Sequence, residues 1–191
     1  MAKKKQALVD LKKMNLSYED KNQVIKLINF KTQTLTLDTE VTVIDLAGYT
    51  GVVLTLEQGL LATDSVGGGT SVVTDTVSNL TGEIGDLSGV ATVTATVEAD
   101  DSDLSVLTLD SDVTAIDLGA YTNVVLTVAQ AAMASGTGTY TIKDTAENVN
   151  NNLAAVEALG VTVTLTDTTI SADTLNTINA GITAVVTIQA T

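Results

Sequence analysis

Glu98, Asp100, Asp101 and Asp103 crowd into six residues, with Asp110 and Asp112 close behind. Carboxylates are hard oxygen donors, so the first chemistry this pattern suggests is a Ca²⁺ site. The spacing fits no EF-hand, because the turn glycine and terminal glutamate are missing, and Val66-Gly-Gly-Gly-Thr70 lacks the aspartate of the calcium-binding nonapeptide repeat. A solvated, charged loop accounts for the cluster, and no metal is expected. Acid–base and nucleophilic chemistry fare no better: the chain has no His and no Cys, which removes the commonest general base and the thiol nucleophile together. Paired carboxylates of the glycosidase kind remain, but such clefts are usually lined with aromatics, and beyond residue 31 there are three tyrosines and no Trp. The triple glycine at 67–69 lacks the Lys-Ser/Thr of a phosphate loop. The expectation is a protein that is not an enzyme, with no cofactor and no small-molecule substrate.

The second charged feature is lysine. Eight of nine lysines fall in residues 1–31, where Asp10, Glu19 and Asp20 oppose them, leaving about +5; residues 32–191 hold twenty acids and Lys143 alone, about −19. Clustered lysines neutralise phosphates. Against a nucleic-acid role stand the absence of arginine for bidentate contacts, the three acids within the arm, and the scarcity of aromatics for stacking. The acidic body repels nucleic acid and anionic membranes alike, so neither is an expected partner.

The arm has two parts. Lys3, Lys4, Lys5, Lys12 and Lys13 surround Leu8, Leu11 and Met14, and Ser17 followed by Asp20 suggests a cap for a helix over Tyr18–Phe30 with Val24, Leu27 and Ile28 on one stripe. One reading makes this an anchor: Val24, Leu27 and Ile28 pack on another subunit while the lysines, Lys21 included, pair with its acids. The other makes the helix a cap over the chain's own repeats, with its lysines solvated. Both stay open.

The body that must position these residues is an internal duplication. Leu35–Leu56 reappears as Leu107–Val128 with 15 of 22 positions identical, and Val73–Leu80 faces Ile142–Val149 after a three-residue gap. Asp45 and Asp117, Asp75 and Asp144, and Tyr49 and Tyr121 recur at matching places. A catalytic acid is seldom needed twice, so the aspartates read as turn or cap residues and the tyrosines as a shared packing position.

Within a copy, period-two segments such as Val161–Thr166 and Ala91–Val97 read as half-buried strands, with aliphatic groups on one face and threonines on the other. Segments of helical period lie between them. The clearest spans Thr145–Leu159, with Asp144 as cap, Val149, Leu153 and Val156 inward and Gly160 at its end; a counterpart follows Asp75, and another helix follows Ser171 with Leu175 and Ile178 inward. The fold expected is an α/β repeat solenoid with parallel strands and short helices, preceded by the N-terminal helical arm; an all-β solenoid or sandwich is the alternative. The division is residues 1–31 as arm, 32–106 as first repeat and 107–191 as second. No Pro and few Asn-Gly or Asp-Gly pairs argue against a meander of tight hairpins. The charged start lacks the apolar core and cleavage site of a secretory signal, and no 18 apolar residues run together.

Tyr140–Val149, Val161–Thr168 and Ile170–Ala180 resemble the repeats of very large surface and adhesin-like proteins of cyanobacteria and other marine bacteria. That resemblance implies an extended structural scaffold. A short chain with a basic leading arm and one duplicated repeat also resembles a phage virion component, a capsid decoration or surface-appendage protein. The resemblance implies other virion proteins as partners and a place in the virion after synthesis in the host cytoplasm, with the bacterial cell surface as the alternative. The closing strand, Ile182–Thr191, has no polar cap after it, which predicts self-association to cover its edge.

Overall fold

The computed structural model describes residues 16–19, 24–27 and 41–189, apart from Ser88 and Asp100. The chain divides into two compact units, Met1–Ala95 with Asp110–Thr114, and Thr96–Leu109 with Ala115–Thr191. The expected class, parallel sheets with short helices, is what the described residues adopt.

In the first unit the strands are β1 (Leu16–Glu19), β2 (Val24–Leu27), β3 (Val43–Asp45), β4 (Val52–Leu54), β5 (Ala62–Thr63), β6 (Ser71–Thr76) and β7 (Val90–Thr96), the last ending at the unit's boundary, with a one-turn helix α1 (Leu56–Gly59). From β3 to β6 successive strands alternate between two sheets. One runs β1-β2-β3-β5 and the other holds β7-β6-β4. Ile44 lies opposite Ala62 in parallel, a step of 18 residues. Val52 lies opposite Ser71, a step of 19.

The second unit repeats this plan and extends it. After a 3₁₀ turn at Leu104–Val106 come β8 (Ala115–Asp117), β9 (Val124–Leu126), α2 (Val128–Ala131), β10 (Ala134–Ser135) and β11 (Tyr140–Asp144). Then follow α3 (Ala146–Asn151), α4 (Leu153–Leu159), β12 (Val163–Leu165), α5 (Ala172–Gly181) and β13 (Val186–Ile188). β8 pairs with β10, while β9-β11-β12-β13 form a sheet in which every pairing is parallel. Alternation along each strand sends one face inward. Ile44, Val73, Ile116, Leu126, Ile142, Val163 and Leu165 have no exposed surface, whereas Thr141 and Thr164 are half-buried on the opposite face.

The duplication holds element by element from β3 to β5. β3, β4, α1 and β5 reappear 72 residues on as β8, β9, α2 and β10. Both one-turn helices open with a capping box, Thr55 with Gln58 and Thr127 with Gln130. The left-handed position is occupied by Gly51 (φ 65°) in one copy and Asn123 (φ 62°) in the other, the two residue types that adopt it most cheaply. The three-residue gap falls between β5 and β6. In the first copy the longer loop is closed by Asp64, which accepts from the amides of Gly48 (2.8 Å) and Gly69 (2.6 Å). In the second copy the loop closes directly on Gly119, and a Cβ on Gly138 would lie 2.3 Å from the Tyr121 carbonyl oxygen.

A second regularity joins each of three short helices to an aspartate further along the chain. Asp75 accepts the first helical amide of α1 from Leu56 (2.8 Å), Asp144 that of α2 from Val128 (2.9 Å), and Asp167 that of α3 from Ala146. Helix N-termini leave donors unsatisfied, and here a carboxylate on β6, on β11 or just after β12 supplies the acceptor.

Three local expectations are corrected. Within the span Tyr18–Phe30 expected to be helical, the described residues are strands: β1 and β2 pair antiparallel, Leu16 opposite Leu27 and Glu19 opposite Val24, and β2 then pairs parallel with β3, while residues 20–23 and 28–30 lie outside the described residues. Val24 and Ile25 are β-branched, and pairing with β3 outweighs the helical spacing that Val24 and Ile28 suggest. After Asp75 there is a turn over Val77–Leu80 instead of a helix, because Gly82 and Gly85 with positive φ follow at once. The helix over Thr145–Leu159 breaks at Asn152 (φ −124°) into α3 and α4, where three consecutive asparagines lower helix propensity. Its cap is Thr145, not Asp144, which is committed to Val128. Gly160 ends it in the left-handed region, and Ser171 caps α5, as the sequence predicts.

Candidate functional site

The acidic cluster is built into the backbone. Asp101 accepts from the Glu98 amide at 2.8 Å, Asp110 from the amides of Ile84 and Asp112, and Asp112 from that of Leu87. Asp103 accepts from Ser105 and pairs with Lys143 at 2.9 Å. Asp100 lies outside the described residues. Among the described residues no group of three or more His, Cys, Asp or Glu is arranged to hold a metal ion.

The repeated aspartates also serve the chain itself. Asp45 accepts from the amides of Ala47 and Ser65, and Asp117 from Gly119. Asp75 and Asp144 each take three donors: the helix amide, the next backbone amide, and the side chain of Asn79 or Asn148 at 2.7 Å. What the tyrosine positions share is a backbone bond, Thr70 to the carbonyl of Tyr49 and Thr139 to that of Tyr121. Tyr121 leaves its ring exposed.

Each unit carries a shallow cavity. That of the first unit, about 200 Å³, is lined by Leu46, Leu60, Asp64, Asp86 and Leu87 among others. That of the second unit, about 300 Å³, lies between α2 and α3–α4 and contains Asp144, whose two oxygens are already engaged. Neither presents two free carboxylates to a substrate.

Hydrogen bonding sets the electrostatics. The Gly69 amide is the main influence holding the Asp64 carboxyl below its usual range, against opposing burial, with the Gly48 amide adding to it. Burial raises Asp75, but the Asn79 side chain and the Leu56 and Thr76 amides outweigh it and leave the group lowered. Burial raises Asp103, and Lys143 and Ser105 outweigh it. Thr183, through its amide and then its hydroxyl, lowers Glu157. All four favour the ionised form in the folded chain, so their stabilisation is present above the unfolded values of about 3.9 and 4.3 and is lost as pH falls through the folded ones. The expected result is a melting temperature that falls below about pH 4. Circular dichroism melts across that range check it, and a melting temperature unchanged to about pH 2.5 would contradict these contacts.

Of the residues expected to dock a partner, Val24 and Leu27 sit at the two ends of β2, whereas Lys3, Lys4, Lys5, Lys12, Lys13, Lys21 and Ile28 lie outside the described residues. Among the described residues β13 is the last strand in its sheet, and Val185 and Ile188 beside and on it are 63% and 50% exposed. Sequence reasoning missed the Lys143–Asp103 pair, which joins residues forty apart, and the capping boxes, whose Thr-x-x-Gln signature stands at 55–58 and 127–130. No protein-family model, curated protein or solved structure matches the chain.

Proposed function

We propose that the chain is a structural subunit of a virion, a capsid decoration or surface-appendage component, that docks through its basic N-terminal segment and exposes its acidic repeat body as a short solenoid. The observation that carries this reading is the division of charge, about +5 in residues 1–31 against about −19 beyond them. The acids of the body are used in capping turns and joining layers, which is what a scaffold needs and a catalyst does not. The partners under this reading are other virion proteins and further copies of the chain, with no substrate and no cofactor. A second reading, a bacterial surface-layer or adhesin-type module, is favoured by the resemblance of 140–180 to repeats of large surface proteins.

The test leaves the strands in place. Lys3, Lys4, Lys5, Lys12 and Lys13 all precede β1, so changing them to Glu reverses the charge of the segment without removing β2 from β3. The reversed chain is expected to lose co-sedimentation with purified particles while keeping the wild-type circular dichroism spectrum. Undiminished co-sedimentation would refute docking through this segment.

A further inference from the structure

Little apolar surface holds residues 171–189 to the rest of the second unit. Of their side chains only Ile178 and Ile182 are buried, and β13 has none, whereas β12 buries both Val163 and Leu165 in three residues. Burial of apolar area is the main favourable contribution to folding, so this stretch is held less firmly than the strands before it.

The contacts that do join it are well defined. α5 packs against α3 and α4, with Gly181 so near that a Cβ there would lie 3.2 Å from Leu153. Just after α5, Glu157 of α4 accepts from both the amide and the hydroxyl of Thr183, each at 2.7 Å. β13 then lies parallel to β12, the Val163 amide donating to the Val185 carbonyl and the Gln189 amide to the Leu165 carbonyl, both at 2.9 Å. On the other side of the stretch the boundary is equally sharp. Asp167 accepts from the Ala146 amide, and the Thr166 amide donates to the Asp144 carbonyl at 3.0 Å, which fastens the end of β12 to α3 and β11. Residues 168–170 follow with no helix or strand, and Thr168 and Thr169 are exposed. A short irregular connection that begins at an anchored point is where a hinge forms.

We propose that α5 and β13 form a flap that opens as one unit about residues 168–170, with Glu157 as its latch, while β9, β11 and β12 stay folded. This conformational step goes beyond the structural-subunit reading and does not depend on it. Opening breaks the two Glu157–Thr183 bonds and the β12–β13 ladder together. It uncovers the edge of β12 and the sides of α3 and α4 against which α5 packs. Contiguous elements with few buried contacts open in such cooperative pieces below the free energy of global unfolding.

β12 supplies the test, because neighbouring amides bond to different sides: Val163 donates to β13, and Thr166 just past the strand donates to β11. The experiment is native-state hydrogen exchange of the full chain, followed amide by amide by NMR in low denaturant, with opening and closing fast relative to exchange. Val163, Leu175 and Ile182 are expected to form one group with common protection and a common denaturant dependence. Thr166 and Ile142 should form a second group, protected about tenfold or more above the first. Glu157→Ala removes both latch bonds and should speed exchange of the first group by about threefold to tenfold, leaving the second unchanged. Ile178→Val trims one of the two buried side chains of the flap and should act on the same group by a similar factor. Three results would overturn the proposal: Val163 as well protected as Thr166 and Ile142, first-group amides with different denaturant dependences, or a Glu157→Ala effect that is absent or equal in both groups.

Discussion

Ile142→Ala is expected to lower the free energy of unfolding by about 2–5 kcal/mol. Ile142 has no exposed surface and sits on β11, with Leu126 of β9 on one side and Val163 of β12 on the other. With a strand paired on each side of β11, an emptied position is lined by neighbours held in their own strands and cannot collapse easily. The comparison is Val185→Ala, at a side chain 63% exposed, where a change within about 0.5 kcal/mol is expected. Urea unfolding of both variants measures the difference. A cost below about 1 kcal/mol for Ile142→Ala would mean that β11 is not the centre of its sheet.

Asp144→Ala is expected to cost about 2–4 kcal/mol. Asp144 is 8% exposed and accepts from the amides of Val128 and Thr145 and from the Asn148 side chain. Truncation leaves the Val128 amide at the start of α2 without its acceptor, and it cuts the bond that ties α2 to β11. Asp75→Ala removes the matching three bonds at a half-buried site in the other copy, and a loss of the same sign but smaller size is expected. Denaturant melts of the pair decide between a capping role and a functional one. Acids kept for binding or catalysis often cost stability, so a gain on removing Asp144 would contradict the capping role.

Much of the body was legible because its signals are local and repeated. The period-two runs around Val163 and Val93 gave strands, Gly160 and Ser171 marked helix boundaries, and the duplication predicted that Asp45, Asp117, Asp75 and Asp144 serve turns and caps, as their hydrogen bonds show. Long-range choices were not legible. Val24-Ile-Lys-Leu27 carries a helical stripe and a strand pattern at once, and only the availability of β3 as a neighbour selects the strand. The turn after Asp75 and the helix after Asp144 start from related sequences, yet Gly82 stops the first while Ala146 and Glu147 favour the second. The three aspartates that cap an earlier helix have no fixed spacing to it, falling 19, 16 and 21 residues later, so no sequence window contains the bond. At the acidic cluster the residue types suggested a ligand set. The partners of Asp101, Asp103, Asp110 and Asp112 are amides, one hydroxyl and one lysine, and these depend on loops meeting in space.

The central claim is that this chain is built into a particle. Quantitative mass spectrometry of purified virions and of cell-envelope fractions from the same cultures tests it most directly. The account predicts that the chain co-purifies with the capsid proteins in a constant ratio to them and is depleted from envelopes. Recovery in the envelopes of uninfected cells, with none in virions, would contradict it.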